Sequence, residues 1–164
     1  MDENLQQSFL RFCKLNQFEI NPKQVEIINL LEKFISSKKN LLDFFKKNRK
    51  LCFYLHGGVG VGKTMLLNFF YSKIENKKVR MHFNEFMINF HNFIFQNKDN
   101  KKDNIIDKFV YKLKKKYKLI YLDEFQVTNI VDAMILGKLY EQIFKEDIKI
   151  IVTSNTKISE LYKD

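Results

Sequence analysis

The residues from 57 to 64 constrain the fold more than any other part of the chain. They read Gly-Gly-Val-Gly-Val-Gly-Lys-Thr and hold four of the five glycines in the sequence. A short apolar run, 51–55, precedes them, and apolar residues at helical spacing follow in 63–74. Glycine accepts positive φ angles and lets the backbone approach a ligand closely, so this segment predicts a phosphate-binding turn between a strand and a helix.

Each part of this turn has a predicted task in binding ATP. Backbone N–H groups at the start of a helix cradle phosphate oxygens. The side chain of Lys63 is expected to reach the β- and γ-phosphates, and the hydroxyl of Thr64 is expected to bind Mg²⁺. The alternative is a glycine-rich turn without a ligand. The predicted nucleotide-binding residues are Gly57, Gly58, Val59, Gly60, Val61, Gly62, Lys63, Thr64 and Met65.

Two acidic residues follow a second apolar run, 119–122. Open α/β sheets bind their ligands at the carboxyl ends of the strands, where these residues would lie. Asp123 is therefore predicted to hold Mg²⁺ through water, and Glu124 to orient and deprotonate the attacking water. Asn155, after the run 150–154, is expected to contact the γ-phosphate or that water. A solvated turn is the alternative for the acids, and an Asx turn for Asn155.

The remaining pattern alternates strands with helices. Strands are predicted at 51–55, 79–83, 119–122 and 148–152, and helices at 63–74, 86–94 and 132–144. Such alternation predicts a parallel sheet covered by helices on both faces, the three-layer α/β fold of P-loop NTPases. Residues 1–50 are predicted to be an N-terminal helical segment and 51–164 the ATPase core, within one structural domain. A proline after Asn21 marks a helix start.

Composition excludes several other classes of protein. The 164 residues contain no apolar run long enough to span a bilayer, and the first ten residues do not form a secretory signal. Two cysteines, Cys13 and Cys52, suggest neither disulfides nor a metal site, so a cytoplasmic location is expected. Among the histidines, His82 is expected to be a hydrogen-bonded core residue.

Two basic tracts account for the net charge of +10. Residues 38–50 contribute +5 and residues 98–118 contribute +6. Such tracts can contact nucleic acid or an anionic membrane surface, and a nucleotide-gated nucleic-acid-binding module is therefore an alternative function. Only Tyr111 and Tyr117 offer rings for stacking, and lysines that solvate two exposed segments are the simpler interpretation.

Several blocks of residues resemble the ZapE/AFG-like branch of the AAA+ ATPases. The resemblance covers about residues 20–164, and its most specific blocks are Asp-Glu-Phe-Gln-Val-Thr and Asp-Ala-Met-Ile-Leu. It implies an ATPase that works with the division machinery in bacteria and with inner-membrane protein quality control in mitochondria. The resemblance thus implies a cytoplasmic protein that is located at the inner membrane or at the division site. The matching ranges are 54–65, 80–83, 86–87, 122–128, 132–137, 153–155 and 161–162.

The sequence departs from the family pattern in two respects. Ile158 stands where family members usually have proline, and no arginine follows Arg80. Family members continue into a fifth strand, an arginine finger and a helical lid, so we expect a truncated core that lacks all three. Slow turnover and a homo-oligomer or a complementing chain are expected as a result. A non-catalytic interaction protein that retains the ATP site is a further alternative.

Overall fold

The computed structural model describes residues 4–36, 50–75, 77–97, 104–127 and 130–161. Four helices and four strands alternate through the last four of these ranges much as predicted, and two helices precede them. The elements are α1 Leu5–Leu15, α2 Pro22–Ser36, β1 Cys52–His56, α3 Lys63–Lys73, β2 Lys78–His82, α4 Phe83–Gln96, α5 Ile105–Lys116, β3 Leu119–Asp123, α6 Ile130–Lys145 and β4 Lys149–Ser154, followed by a 3₁₀ turn at Ile158–Glu160.

The four strands form one parallel sheet in the order β1-β4-β3-β2. His56 pairs with Ser154, and His82 pairs with Asp123, so the carboxyl ends of all four strands lie at the same edge. The predicted α/β class with a parallel sheet is confirmed. Among the described residues, β1 pairs with β4 alone and is an edge strand.

A phenylalanine-rich core lies between this sheet and helices α4, α5 and α6. The rings of Phe86 and Phe90 lie 6.0 and 5.0 Å from the ring of Phe109, in edge-to-face contact. Ile120 and Leu122 of β3 contribute to the same cluster. Every residue of β3 is buried, which is why residues 119–122 form a continuous apolar run rather than an alternating pattern.

The chain divides into two compact units. One comprises the described residues of 1–50 together with 62–75, and the other those of 51–61 and 76–164. In the first unit, Phe9 of α1 and Phe69 of α3 pack with their ring centroids 5.1 Å apart. Helix α2 begins at Pro22, where the Lys23 N–H donates to the side chain of Asn21 at 2.9 Å, as predicted. The domain boundaries inferred from the sequence remain a prediction.

Parts of both basic tracts fall outside the described residues. Of 38–50 only Lys50 is described, and of 98–118 only the residues from 104 onward. No helix within the described ranges combines the length and apolar character that crossing a bilayer requires.

Candidate functional site

The glycine-rich segment leaves β1 at the carboxyl edge of the sheet. The N–H of Gly57 donates to the carbonyl of Ser154 at 3.2 Å, which ties the start of the loop to the end of β4. Gly60 and Gly62 have φ angles of 83° and 81°, a region that L side chains rarely adopt. The loop therefore depends on glycine at both positions for its backbone conformation.

Gly62 is constrained a second time by close packing. A Cβ atom at this position would lie 2.6 Å from Nε2 of Gln24. At Gly58 a Cβ atom would meet nothing within 4 Å. The fold itself therefore leaves room at Gly58, and a bound ligand would be the reason to keep that position free of a side chain.

Helix α3 begins directly after the loop and has no side-chain cap. Gly62 is its N-cap residue, and as a glycine it forms no side-chain cap. The first N–H groups of a helix favour an anion at this end. Lys63 and Met65 are half-buried and Thr64 is exposed, while the side chain of Val59 is 87% exposed in the preceding loop.

Asp123 ends β3 and its carboxylate accepts hydrogen bonds from three groups. Nη2 of Arg80 donates to Oδ2 at 2.6 Å, and the hydroxyl of Thr153 donates to Oδ1. The N–H of Glu124 lies 3.2 Å from Oδ1. Burial alone would raise the pKa of Asp123, but the bonds from Thr153 and Arg80, with the charge of Arg80, outweigh it and hold the pKa below its usual value.

Arg80 and Thr153 are site residues that the sequence analysis did not predict. Both lie on strands that flank β3, and Arg80 pairs in register with Tyr121, whose ring lies 4.9 Å from the guanidinium. A single arginine between the apolar residues Val79 and Met81 of a half-buried strand was the available signal. Without the strand order, however, nothing in the sequence indicates that it would reach Asp123.

Glu124 has a strained backbone that turns its side chain out of the sheet. Its φ angle is 55°, and its side chain is 76% exposed. Nδ1 of His82 lies 3.4 Å from its carboxylate, with the His82 side chain 61% exposed. The prediction of a core histidine at position 82 is therefore wrong, because β2 ends at this residue and its ring is exposed at the end of the strand. A cavity of about 340 Å³ opens beside Glu124, lined also by Asn84 and Asp132.

Asn155 follows β4 and lies next to the start of the loop. Its side chain is exposed, and the preceding Ser154 accepts the Gly57 N–H through its carbonyl. The turn that carries Asn155 is held by Tyr54, whose hydroxyl donates to the carbonyl of Thr156 at 2.7 Å, and by the Thr156 N–H, which donates to Oγ of Ser154. Asn155 thus occupies the edge of the sheet at which Asp123 and Glu124 lie.

The donor groups available at this edge suit Mg²⁺. Magnesium usually takes one or two protein ligands and completes its shell with water and phosphate oxygens. Asp123 offers there a carboxylate with lone pairs beyond those that its hydrogen bonds use. The other predicted ligand, Thr64, is exposed at the start of α3. Within the described ranges no cluster of three or more histidine, cysteine or acidic side chains forms a metal cage.

Comparison with known proteins places the chain in a family. Residues 11–164 match the profile described as AFG1-like ATPase. The chain is 41% identical over 122 residues to "Lactation elevated protein 1 homolog B" of Danio rerio, covering 68% of this chain and 24% of that protein. It is 37% identical over 114 residues to "Cell division protein ZapE" of Escherichia coli K12, covering 68% and 29%. The chain thus spans less than a third of either relative.

A solved structure shares the fold at lower identity. The AMPPCP-bound DnaA of Aquifex aeolicus superposes with a TM-score of 0.54 at 16% identity, over 90% of this chain and 43% of that one. This likeness shows a shared fold. The match over residues 11–164 identifies the chain as a member of the AFG1-like ATPase family.

Proposed function

We propose that the chain binds ATP with Mg²⁺ at residues 57–65 and hydrolyses it to ADP and phosphate. One observation carries the proposal: the loop between β1 and α3 adopts positive φ angles at Gly60 and Gly62 and runs into a helix start without a side-chain cap. Oriented N–H groups and the positive end of the helix dipole favour an anion there. Membership of the AFG1-like ATPase family makes a triphosphate the expected anion.

The residues after the loop hold and orient the triphosphate. In this proposal Lys63 contacts the β- and γ-phosphate oxygens, and Thr64 supplies its hydroxyl to Mg²⁺. Bound Mg²⁺ neutralises negative charge that develops on the β- and γ-oxygens. The backbone N–H groups up to Met65 complete the cradle. Because these donors are fixed by the fold, they need little rearrangement when charge develops.

The edge of the sheet carries the groups for hydrolysis. Asp123 stays ionised because its pKa is held below the usual value, as a carboxylate that binds Mg²⁺ through water must. Glu124 accepts a proton from the water that attacks the γ-phosphorus, and its exposed side chain can reach solvent. Asn155 donates to the γ-phosphate or orients that water.

Fast hydrolysis also requires positive charge at the γ-phosphate beyond that of Lys63 and Mg²⁺. Arg80 is engaged with Asp123 and no other arginine follows in the sequence. An arginine from a second copy or a complementing chain would supply it, and such groups accelerate phosphoryl transfer about 10³–10⁵-fold. We therefore propose slow turnover for these 164 residues alone and faster turnover in an assembly.

Nucleotide binding can be tested by titrating the folded chain with a fluorescent ATP analogue and magnesium. Lys63→Ala should abolish binding, whereas Lys73→Ala, at the other end of the same helix, should leave it unchanged. Glu124→Gln should bind ATP normally and lose hydrolysis. Normal affinity in Lys63→Ala, or lost affinity in both Lys63→Ala and Glu124→Gln, would contradict the assigned roles.

The cellular role is a separate proposal. One relative is named a cell division protein, and we propose that this chain also acts with division proteins, in the cytoplasm or at the inner membrane. A fluorescently tagged chain should then concentrate at the division site, and its Lys63→Ala variant provides the control for nucleotide dependence. Uniform distribution throughout the cell cycle would count against this role.

A further inference from the structure

We propose that a groove between α4 and α5 binds single-stranded nucleic acid at a site separate from the phosphate loop. A cavity of about 320 Å³ lies there, bounded by both helices and by Met81 of β2. We call it the amide–lysine groove after the side chains that line its mouth. Those used below are Asn89, Asn92, Phe93, Gln96, Lys112 and Lys116.

The charge of the groove selects for an anion. Lys112 and Lys116 lie one turn apart on α5, on the same face of the helix, and both line the cavity. None of the described lining residues carries a carboxylate. Lys114, on another face of α5, is instead paired with Glu146. The two lysines of the groove are thus available for phosphate groups.

The amides of α4 select for a base rather than for charge alone. Asn89, Asn92 and Gln96 follow one another at helical spacing and are exposed along one side of the cavity. None of their side chains forms a hydrogen bond within the part of the chain that the structure describes. An amide donates and accepts at once, as the edge of a nucleobase does. The ionised side chains of an acidic peptide present acceptors only.

Aromatic side chains provide stacking surfaces among these polar groups. The ring of Phe93 is half-buried, lies 5.3 Å from that of Phe109 and has the Lys112 ammonium 5.5 Å from its centroid. Tyr117, the residue that follows α5, lines the cavity as well. Rings interleaved with cations are the usual means of binding single strands.

The size of the groove favours a single strand over a duplex. Ligand pockets range from about 300 to 1,000 Å³, so this cavity, at about 320 Å³, has room for about one nucleotide. In a duplex the bases are stacked and paired, so only the sugar-phosphate backbone could contact a cavity of this size. The proposal therefore requires preference for single strands.

Fluorescence anisotropy with a labelled oligonucleotide of about 12 nucleotides tests the proposal. Titrations between about 50 and 200 mM salt give the number of phosphate contacts, since each contributes about 0.7 to the slope of log K against log salt. Lys112→Ala/Lys116→Ala should reduce the slope by about 1.4. Lys33→Ala/Lys138→Ala removes two exposed helical lysines elsewhere and should leave affinity and slope unchanged.

A second pair of variants separates base recognition from charge. Asn89→Ala/Asn92→Ala should weaken binding at least about fivefold with the salt slope intact. Lys63→Ala should bind the oligonucleotide as the parent chain does, which separates this groove from the ATP site.

Several results would overturn the proposal. One is failure of the folded chain to bind the oligonucleotide at the lowest salt. Another is an equal loss of affinity in Lys112→Ala/Lys116→Ala and in its control Lys33→Ala/Lys138→Ala. A third is unchanged affinity in Asn89→Ala/Asn92→Ala. Equal affinity for duplex of the same sequence would also overturn it. Stronger binding to polyglutamate would indicate an acidic peptide site, and stronger binding to vesicles of phosphatidylglycerol would indicate a membrane site.

Discussion

The ion pair between Arg80 and Asp123 should stabilise the fold whether or not a nucleotide binds. The side chains are 30% and 12% exposed, and Nη2 lies 2.6 Å from Oδ2. A charge-assisted hydrogen bond contributes about 1.5–3 kcal/mol, and removing one partner of a fully buried pair costs about 3–5 kcal/mol. Because Arg80 is partly solvated and Asp123 keeps the bond from Thr153, we expect Arg80→Met to lower the free energy of unfolding by about 2 kcal/mol.

Urea unfolding at neutral pH without nucleotide measures this loss. The matched control is the same substitution in an Asp123→Asn background, where position 123 carries no charge. There the cost of losing Arg80 should fall below about 1 kcal/mol, because its charge no longer faces a carboxylate, whereas its contact with the ring of Tyr121 is lost in both backgrounds. An equal cost in both backgrounds would show that Arg80 stabilises the protein by some means other than this ion pair.

The same pair predicts the pH dependence of the loss. Arg80 helps to hold the folded pKa of Asp123 below its usual value. The stability from this shift is therefore fully present above the unfolded pKa and is lost as pH falls through the lower folded pKa. The difference between the parent chain and Arg80→Met should stay constant from about pH 7 to pH 5 and narrow below about pH 4. A difference that grew on acidification would refute the reasoning.

Two further predictions concern the loop and the core. Gly62→Ala should destabilise the chain by at least about 1 kcal/mol in urea unfolding, because alanine would need a left-handed conformation beside Gln24. Gly58→Ala should leave unfolding unchanged yet weaken nucleotide binding, and a large stability loss there would contradict the open space around it. Phe90→Ala should cost about 3–5 kcal/mol because the ring is 1% exposed, whereas Phe95→Ala, at a ring 69% exposed, should cost little. Similar losses in the two phenylalanine variants would mean that the described core is incorrect.

Much of the fold follows from local patterns in the sequence. The strand predicted at 119–122 is observed as Leu119–Asp123, because an apolar run of this length bounded by polar residues suits a strand buried on both faces. The helix predicted at 63–74 is observed as Lys63–Lys73, since Gly62 marks its start by its backbone conformation. Errors at the ends are one to three residues, the largest at the start of α4, which is predicted at 86 and observed at Phe83. Helix and strand termini depend on neighbours as well as on propensity.

The sequence by itself determined the class of fold and the loop, because glycines that permit positive φ and apolar runs of strand length act over a few neighbouring residues. Only the tertiary structure decided which side chains surround Asp123. Arg80 and Thr153 are 43 and 30 residues away along the chain, and the order β1-β4-β3-β2 brings them to the same carboxylate. The tertiary structure likewise decided that His82 faces solvent beside Glu124, because the sequence pattern does not show that β2 ends at this residue.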